Sequence, residues 1–296
     1  MNNDTKILDE LFNRVGLDSI SFIIPAVAFG KFLKKFDFRK RLNKTTRNIQ
    51  LKEYCDDKFK SYNAKDKKAP FEIRYINFIK GNKSLSNTAI VLYNSKKALE
   101  LSKKNKKAKG YYIEVIINGI NQPSKNIAKE TMAFLTRLIR RFKTDNIDLS
   151  LDFIGNFDIK EHSTKKAIDT FSNLDFKGDL LEYNKSLYIN KATNEQLPQL
   201  QRVLLYDKFY KQKYYHKQNI DNKFKKWKRL EFRIMIKDKL LRSLNIIKDA
   251  LRLFNLFLKD INNQSITRSF LNLQFGIFKD LRKNRDFKAL DIFQTS

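Results

Sequence analysis

The run NIDLSLDFIG, residues 146–155, alternates Ile147, Leu149, Leu151 and Phe153 with Asn146, Asp148, Ser150 and Asp152. Successive side chains of a strand point to opposite faces, so this segment belongs in a sheet with one face in a core and an acid-bearing face opposite. KWKRLEFRIMI (226–236) repeats the pattern, setting Trp227, Arg229, Glu231 and Arg233 against Lys228, Leu230, Phe232 and Ile234. Six more runs read as strands: DSISFIIP (18–25), FEIRYINFIKG (71–81), NTAIVLYN (87–94), YYIEVIING (111–119), KSLYIN (185–190) and QRVLLYDK (201–208).

Helical patterns fall between and after these runs. In 124–145, Ser124 is a candidate N-cap, and Ile127, Phe134, Leu135, Leu138 and Phe142 form an apolar stripe. Helices are also predicted over 163–174, 239–261 and 269–283, and the lysine-rich bridge 95–110 reads as a solvated loop or short helix. The expected fold is α+β, one antiparallel sheet backed by helices. Its core spans residues 1–236, and a C-terminal helical extension, 237–296, packs on that core.

Charge limits what such a sheet can do. Lys and Arg number 61 against 32 Asp and Glu, a net +29. That balance favours a polyanionic partner, nucleic acid before an anionic membrane, because bound phosphates release counterions. No run approaches the ~18 apolar residues of a membrane span. Cys55 is the sole cysteine, which excludes a disulfide framework and points to a reducing compartment. The opening MNNDTKILDELFNRVG carries acids rather than a basic, then apolar, leader, so the expected location is the cytoplasm. The two histidines, His162 and His216, cannot build a zinc site with one cysteine, and no phosphate-binding glycine loop is present.

The remaining chemistry rests on acids and tyrosines. Glu114, Asp148 and Glu231 each sit mid-strand. Three carboxylates on one sheet face repel each other unless a cation neutralises them, which suggests a divalent metal; oxygen-only ligands favour Mg²⁺ or Mn²⁺. The same spacing also allows Glu114 and Glu231 to pair with Arg74, Arg229 or Arg233. Tyr206 ends an apolar strand with Lys208 two residues on, on the same side, while Tyr210, Tyr214 and Tyr215 stand among Lys211 and Lys213. A tyrosine here can pack, stack on bases or attack a phosphate. The last needs help, since a phenol of pKa ~10 is only about 0.1% ionised at neutral pH.

Taken in order, DSISFIIP, NTAIVLYN, YYIEVIING, NIDLSLD, RVLLYDKFYKQ and KRLEFRIMIKDKLLRSL resemble the rolling-circle replication initiators typified by the filamentous-phage gene II protein and small-plasmid Rep proteins. The resemblance spans roughly residues 18–285. It implies a nicking-closing enzyme whose tyrosine attacks an origin phosphodiester, forms a 5′-phosphotyrosine link and frees a 3′-hydroxyl primer, with a divalent cation polarising the phosphate. Carried over, the Y-x-K motif falls on Tyr206 and Lys208, the acid of the I-D strand on Asp148, and that of R-x-E-x-R on Glu231. Glu114 stands where the phage protein has an acid in the corresponding strand. Arg229 and Arg233 would hold phosphate or tie down Glu231. Tyr210, Lys211, Lys213, Tyr214 and Tyr215 would hold the strand being cut. Tyr188, in SLYIN, is a second candidate nucleophile. Asn146 stands where the family carries arginine, and no His-hydrophobic-His motif is present. The implied partners are origin DNA and a host helicase, with no membrane and no small-molecule cofactor. A non-catalytic DNA-binding initiator explains the charge and aromatics equally well.

Overall fold

The computed structural model describes residues 12–35, 49–55, 74–80, 83–84, 89–93, 95–105, 111–121, 135, 137–159, 165–215, 217, 219–236 and 244–266. In chain order the elements are β1 (Arg14–Pro25), α1 (Ala26–Lys35), β2 (Ile49–Cys55), β3 (Arg74–Lys80), β4 (Lys83–Ser84), β5 (Ala89–Tyr93) and α2 (Lys96–Lys104). There follow β6 (Tyr112–Asn118), β7 (Thr144–Ile154), α3 (Lys165–Asn173), β8 (Lys177–Tyr183), β9 (Ser186–Thr193), β10 (Leu200–Asp207), β11 (Trp227–Met235) and α4 (Leu244–Asn262). The strands join one antiparallel sheet in the order β2-β3-β5-β6-β1-β7-β11-β10-β9-β8, with β4 paired to β3. The protein is α+β, an antiparallel sheet backed by helices, as the alternating runs predict.

The alternation sorts the two faces of the central strands. Ile20 and Phe22 of β1, Leu149, Leu151 and Phe153 of β7, Leu230, Phe232 and Ile234 of β11, and Val203 and Leu205 of β10 are all buried on one face. α3 and α4 close over it. The ring of Phe254 stacks on Phe232 with centroids 3.9 Å apart, and Phe257 packs edge-on against Phe153 and stacks on Phe171. The helix predicted over 239–261 is therefore α4 and belongs to this core. Lys166 ties α3 to α4 through the carbonyl of Ile261 at 2.7 Å.

Four elements correct or complete the sequence reading. The helix expected over 124–145 stops at residue 141, and β7 begins at Thr144, because Thr144 is buried and pairs with Phe22 of β1. The bridge after Ser95 is a true helix, α2, capped by the Ser95 hydroxyl accepting from the Ala98 amide at 3.2 Å. β8 was not foreseen, since KGDLLEY lacks alternation and is exposed or half-exposed throughout. It is held by pairing with β9 through a two-residue turn in which Asn184 and Lys185 both have positive φ, 43° and 58°. β2 was likewise unforeseen. The helix predicted over 269–283 lies outside the described residues.

Phe254→Ala removes the ring that seals β11. A cavity there should cost about 3–5 kcal/mol. Equilibrium urea denaturation should show a lowered midpoint with an unchanged slope.

Candidate functional site

The face away from the helices carries the polar half of each alternating run. Register places Tyr206, Arg229 and Asp152 side by side across β10, β11 and β7, and Arg202, Arg233, Asp148 and Ser19 in a parallel row. Between these rows lies a third, formed by Tyr188, Leu204, Glu231, Ser150 and Gly16.

Arg229 organises this face. Its side chain is 0% exposed. Its Nε and Nη2 donate to the two oxygens of Asp152 at 2.8 and 2.6 Å, Nη1 donates to Asp18 at 2.8 Å, and Nη2 also donates to the carbonyl of Asn121 at 2.8 Å. The indole of Trp227 donates to Asp152 as well, at 2.8 Å. Asp18 reaches inward at a bulge, where the β1–β7 register shifts between Leu17 and Ser19. Asn121 can lie over the sheet because Gly16 has no side chain: a Cβ there would sit 2.3 Å from the Asn121 amide. From this position Asn121 donates to Ser150 at 2.9 Å.

Tyr206 adjoins this network. It is 3% exposed, and its hydroxyl donates to Glu231 Oε1 at 2.7 Å. Lys208 Nζ stands 3.5 Å from the Tyr206 hydroxyl oxygen, and Lys211 rides over the ring at 4.4 Å. Burial and the neighbouring Glu231 charge push the phenol well above its ordinary value. Burial, reinforced by the charge of Arg229, brings Lys208 down to about 7. Burial also raises Asp18 to about 6 against the pull of Arg229. Tyr188 is the contrasting tyrosine. It lies on the same face, opposite Leu204, and is half-exposed.

The three acids expected to hold a metal do not meet. Glu231 lies one pair-step along the sheet from Asp148, and Glu114, opposite Ile23, lies two steps the other way. At ~3.4 Å per residue these are offsets of about 7 and 13 Å along the strands. Ligands around one Mg²⁺ stand only ~2 Å from the ion. Each acid is also engaged. Asp148 receives both Nε and Nη2 of Arg233, at 2.8 and 2.7 Å, and the Ser19 hydroxyl at 2.7 Å. Those bonds outweigh burial and hold its carboxyl below the usual range. Glu231 accepts from Tyr206, and Glu114, raised by burial, is bonded by Ser95. Among the described residues no cluster of three His, Cys, Asp or Glu could hold an ion. The trio does not fit the expected metal, and arginine supplies the neutralising cation.

One further assignment changes. Arg229 spends its donors inside the protein, so it anchors the sheet rather than a phosphate. Arg233 and Arg202 keep 36% and 26% of their side chains exposed while facing Asp148, and they are the cations open to an anion. Sequence reasoning missed Asp18, Asn121, Arg202 and the part played by Asp152, although Asp152 stands four residues from Asp148 and thus on its face. The basic aromatic stretch forms a short helical turn, Lys208–Tyr210, running into a π-turn, Lys211–Tyr215. Asp207 anchors it, capping the Tyr210 amide at 2.8 Å and accepting from buried Lys228 at 2.9 Å. Tyr210 and Tyr214 lie 5.0 Å apart, and Tyr214 and Tyr215 are exposed. His162 and His216 lie outside the described residues.

No family model and no curated protein matches the chain. Among solved structures, it is similar to a rolling circle replication initiator protein from Geobacillus stearothermophilus. The two are 12% identical over 92% of this chain and 97% of that one, with a TM-score of 0.34. A likeness that distant carries no weight in reading the site.

Asp18 gives the site a pH signature. It holds its proton to about 6 in the fold, against 3.8 for an ordinary aspartate exposed to water. The stability it confers is therefore fully present below 3.8 and lost as pH rises through about 6. Denaturation of wild type and Asp18→Asn between these limits should show the wild-type advantage shrinking with rising pH. Arg229→Leu strands two buried carboxylates and should cost about 3–5 kcal/mol at neutral pH.

Proposed function

We propose that this protein initiates rolling-circle replication by nicking DNA through a tyrosine. The observation that carries the reading is the convergence of separately spaced motifs on one sheet face. Residues from SLYIN, RVLLYDK, NIDLSLD and KRLEFRI become neighbours there, among them Asp148 and Arg233, 85 positions apart in the chain. The polar face is basic and tyrosine-bearing, and a net charge of +29 supplies affinity for a polyanion.

Tyr188 is the better nucleophile of the two candidates. A phosphodiester can approach a tyrosine that is only half-buried, whereas Tyr206 would have to break its bond to Glu231 and leave an acidic, desolvated setting. In the proposed step the Tyr188 oxygen bonds to phosphorus and its proton passes to solvent. The bond from phosphorus to the 3′-oxygen breaks, and that oxygen leaves as a hydroxyl after taking a proton. Arg202 and Arg233 face the side from which the phosphate would come and counter its charge. Tyr206 and Lys208 support Glu231 and the end of β10 from within. A divalent cation remains the family's usual means of polarising the phosphate, and no step here is routed through it.

The burial of Tyr206 also favours a second reading, a DNA-binding initiator without chemistry, in which the tyrosine only packs. Purified protein incubated with tiled, labelled single-stranded DNA of its own replicon, with and without Mg²⁺, separates them on a denaturing gel. Wild type and Tyr206→Phe should both carry label into the protein band, with Tyr206→Phe reduced no more than about tenfold as a supporting residue. Tyr188→Phe should carry none. Loss in Tyr206→Phe alone returns the nucleophile to Tyr206. Absence of any adduct from protein that binds the DNA favours the non-catalytic reading.

A further inference from the structure

The row one pair-step from Tyr188 runs Asp179, Asn190, Arg202, Arg233, Asp148 and Ser19 across β8, β9, β10, β11, β7 and β1. Its charges pair off unevenly. Asp179 is taken by Lys191 at 2.7 Å, and Asp148 by the fork of Arg233 and the Ser19 hydroxyl. Arg202 stands between them, 3.8 Å from an Asp148 oxygen and so beyond hydrogen-bond reach of it. Its Nε is shut off from solvent and meets no acceptor among the described residues. Donors closed off from water almost always find an acceptor, so a guanidinium held this way points to a group that the chain itself does not supply.

We infer that Arg202 and Arg233 form a site for a free phosphoryl oxyanion, and that orthophosphate filling it competes with the phosphate that Tyr188 would attack. The two guanidinium groups come from directly paired strands, and both side chains are partly open. An oxyanion with oxygens on several sides can accept from both at once, whereas a planar carboxylate faces a single fork. Arg233 is already steadied by Asp148, so Arg202 carries the charge left over in the row. The row lies about 7 Å along the strands from that of Tyr188, less than the ~10 Å over which salt screens charge. An anion seated there takes the cations a DNA phosphate would use and repels it as well. The site stands on the pairing of these charges alone; only the competition rests on the nicking reading.

The full chain, without DNA, is titrated with orthophosphate, acetate or chloride at equal ionic strength, following the thermal midpoint and the phosphorus NMR line width. Orthophosphate should raise the wild-type midpoint saturably and broaden its own line; acetate and chloride should give no saturable shift. Arg202→Gln should weaken the phosphate response about tenfold, and Arg202→Lys, which keeps the charge but loses the fork, about fivefold. Arg252→Gln, on the exposed side of α4, should respond as wild type does. A response in Arg202→Gln equal to that of wild type overturns the site, and so does an equal response to acetate. If Arg202→Gln does not fold, Arg202→Lys carries the same comparison. In the labelled-DNA assay, phosphate should lower adduct formation and added DNA should restore it. Unchanged adduct at saturating phosphate overturns the competition. Absence of adduct under every condition removes the nicking reading, while the midpoint and line width still decide the site.

Discussion

A buried guanidinium between two carboxylates sets the terms for the polar half of this protein. Taking Arg229, Asp152 and Asp18 from water is costly, and that cost is offset only where geometry is close and every donor has an acceptor. Here it does. Arg229 makes four contacts between 2.6 and 2.8 Å to three strands or loops that are distant in the chain. Each contact fixes something else. The bond to Asp18 draws in the β1 bulge, that to Asn121 requires a glycine at 16, and Asp152 also holds Trp227. Hydrophobic burial on the helical face favours a sheet, whereas this network selects one register of it, since a one-residue slip would turn all its members into the apolar core.

Moving outward from Arg229, the face changes character by steps. Its centre is dry and internally neutralised. Along β11 and β10 the next row, Arg233 and Arg202 with Asp148, holds two cations for one carboxylate and remains partly open. At the hairpin end of β8, Leu181 and Tyr183 of this face are exposed and apolar or aromatic. A ligand that is anionic along one edge and flat and apolar along the other would meet complementary surface at each step. That gradient follows from sheet order, with β8 outermost and β7 and β11 central.

Much of this was legible in the sequence. The alternation in NIDLSLDFIG and KRLEFRIMI identified the core face correctly, and with it the shared face of Asp148, Asp152, Arg229, Glu231 and Arg233. The partner of each charge was not legible. Whether Asp148 meets a metal or Arg233 depends on which residues of two strands stand opposite, and register is a property of the pair rather than of either run. β8 was hidden for a different reason. An outer strand with both faces in water has no burial pattern to display, so only its tight turn at Asn184 and Lys185 could have signalled it.

The two tyrosines show why the distinction matters for mechanism. Tyr206 and Tyr188 both project to the polar face, on adjacent strands, and a motif alone cannot rank them. Their distance from the ionic centre can. Tyr206 is in the row of Arg229, so it inherits the desolvation of the network and the field of Glu231, which opposes a second negative charge on its oxygen. Tyr188 is in the row of Glu231 but separated from it by Leu204, and it borders the exposed shelf instead. A nucleophile must lose a proton in the step that bonds it to phosphorus, and it must do so where an anion can reach. Under the proposed chemistry, the same network that makes the sheet rigid disfavours its nearest tyrosine for that work and favours the tyrosine one strand farther out.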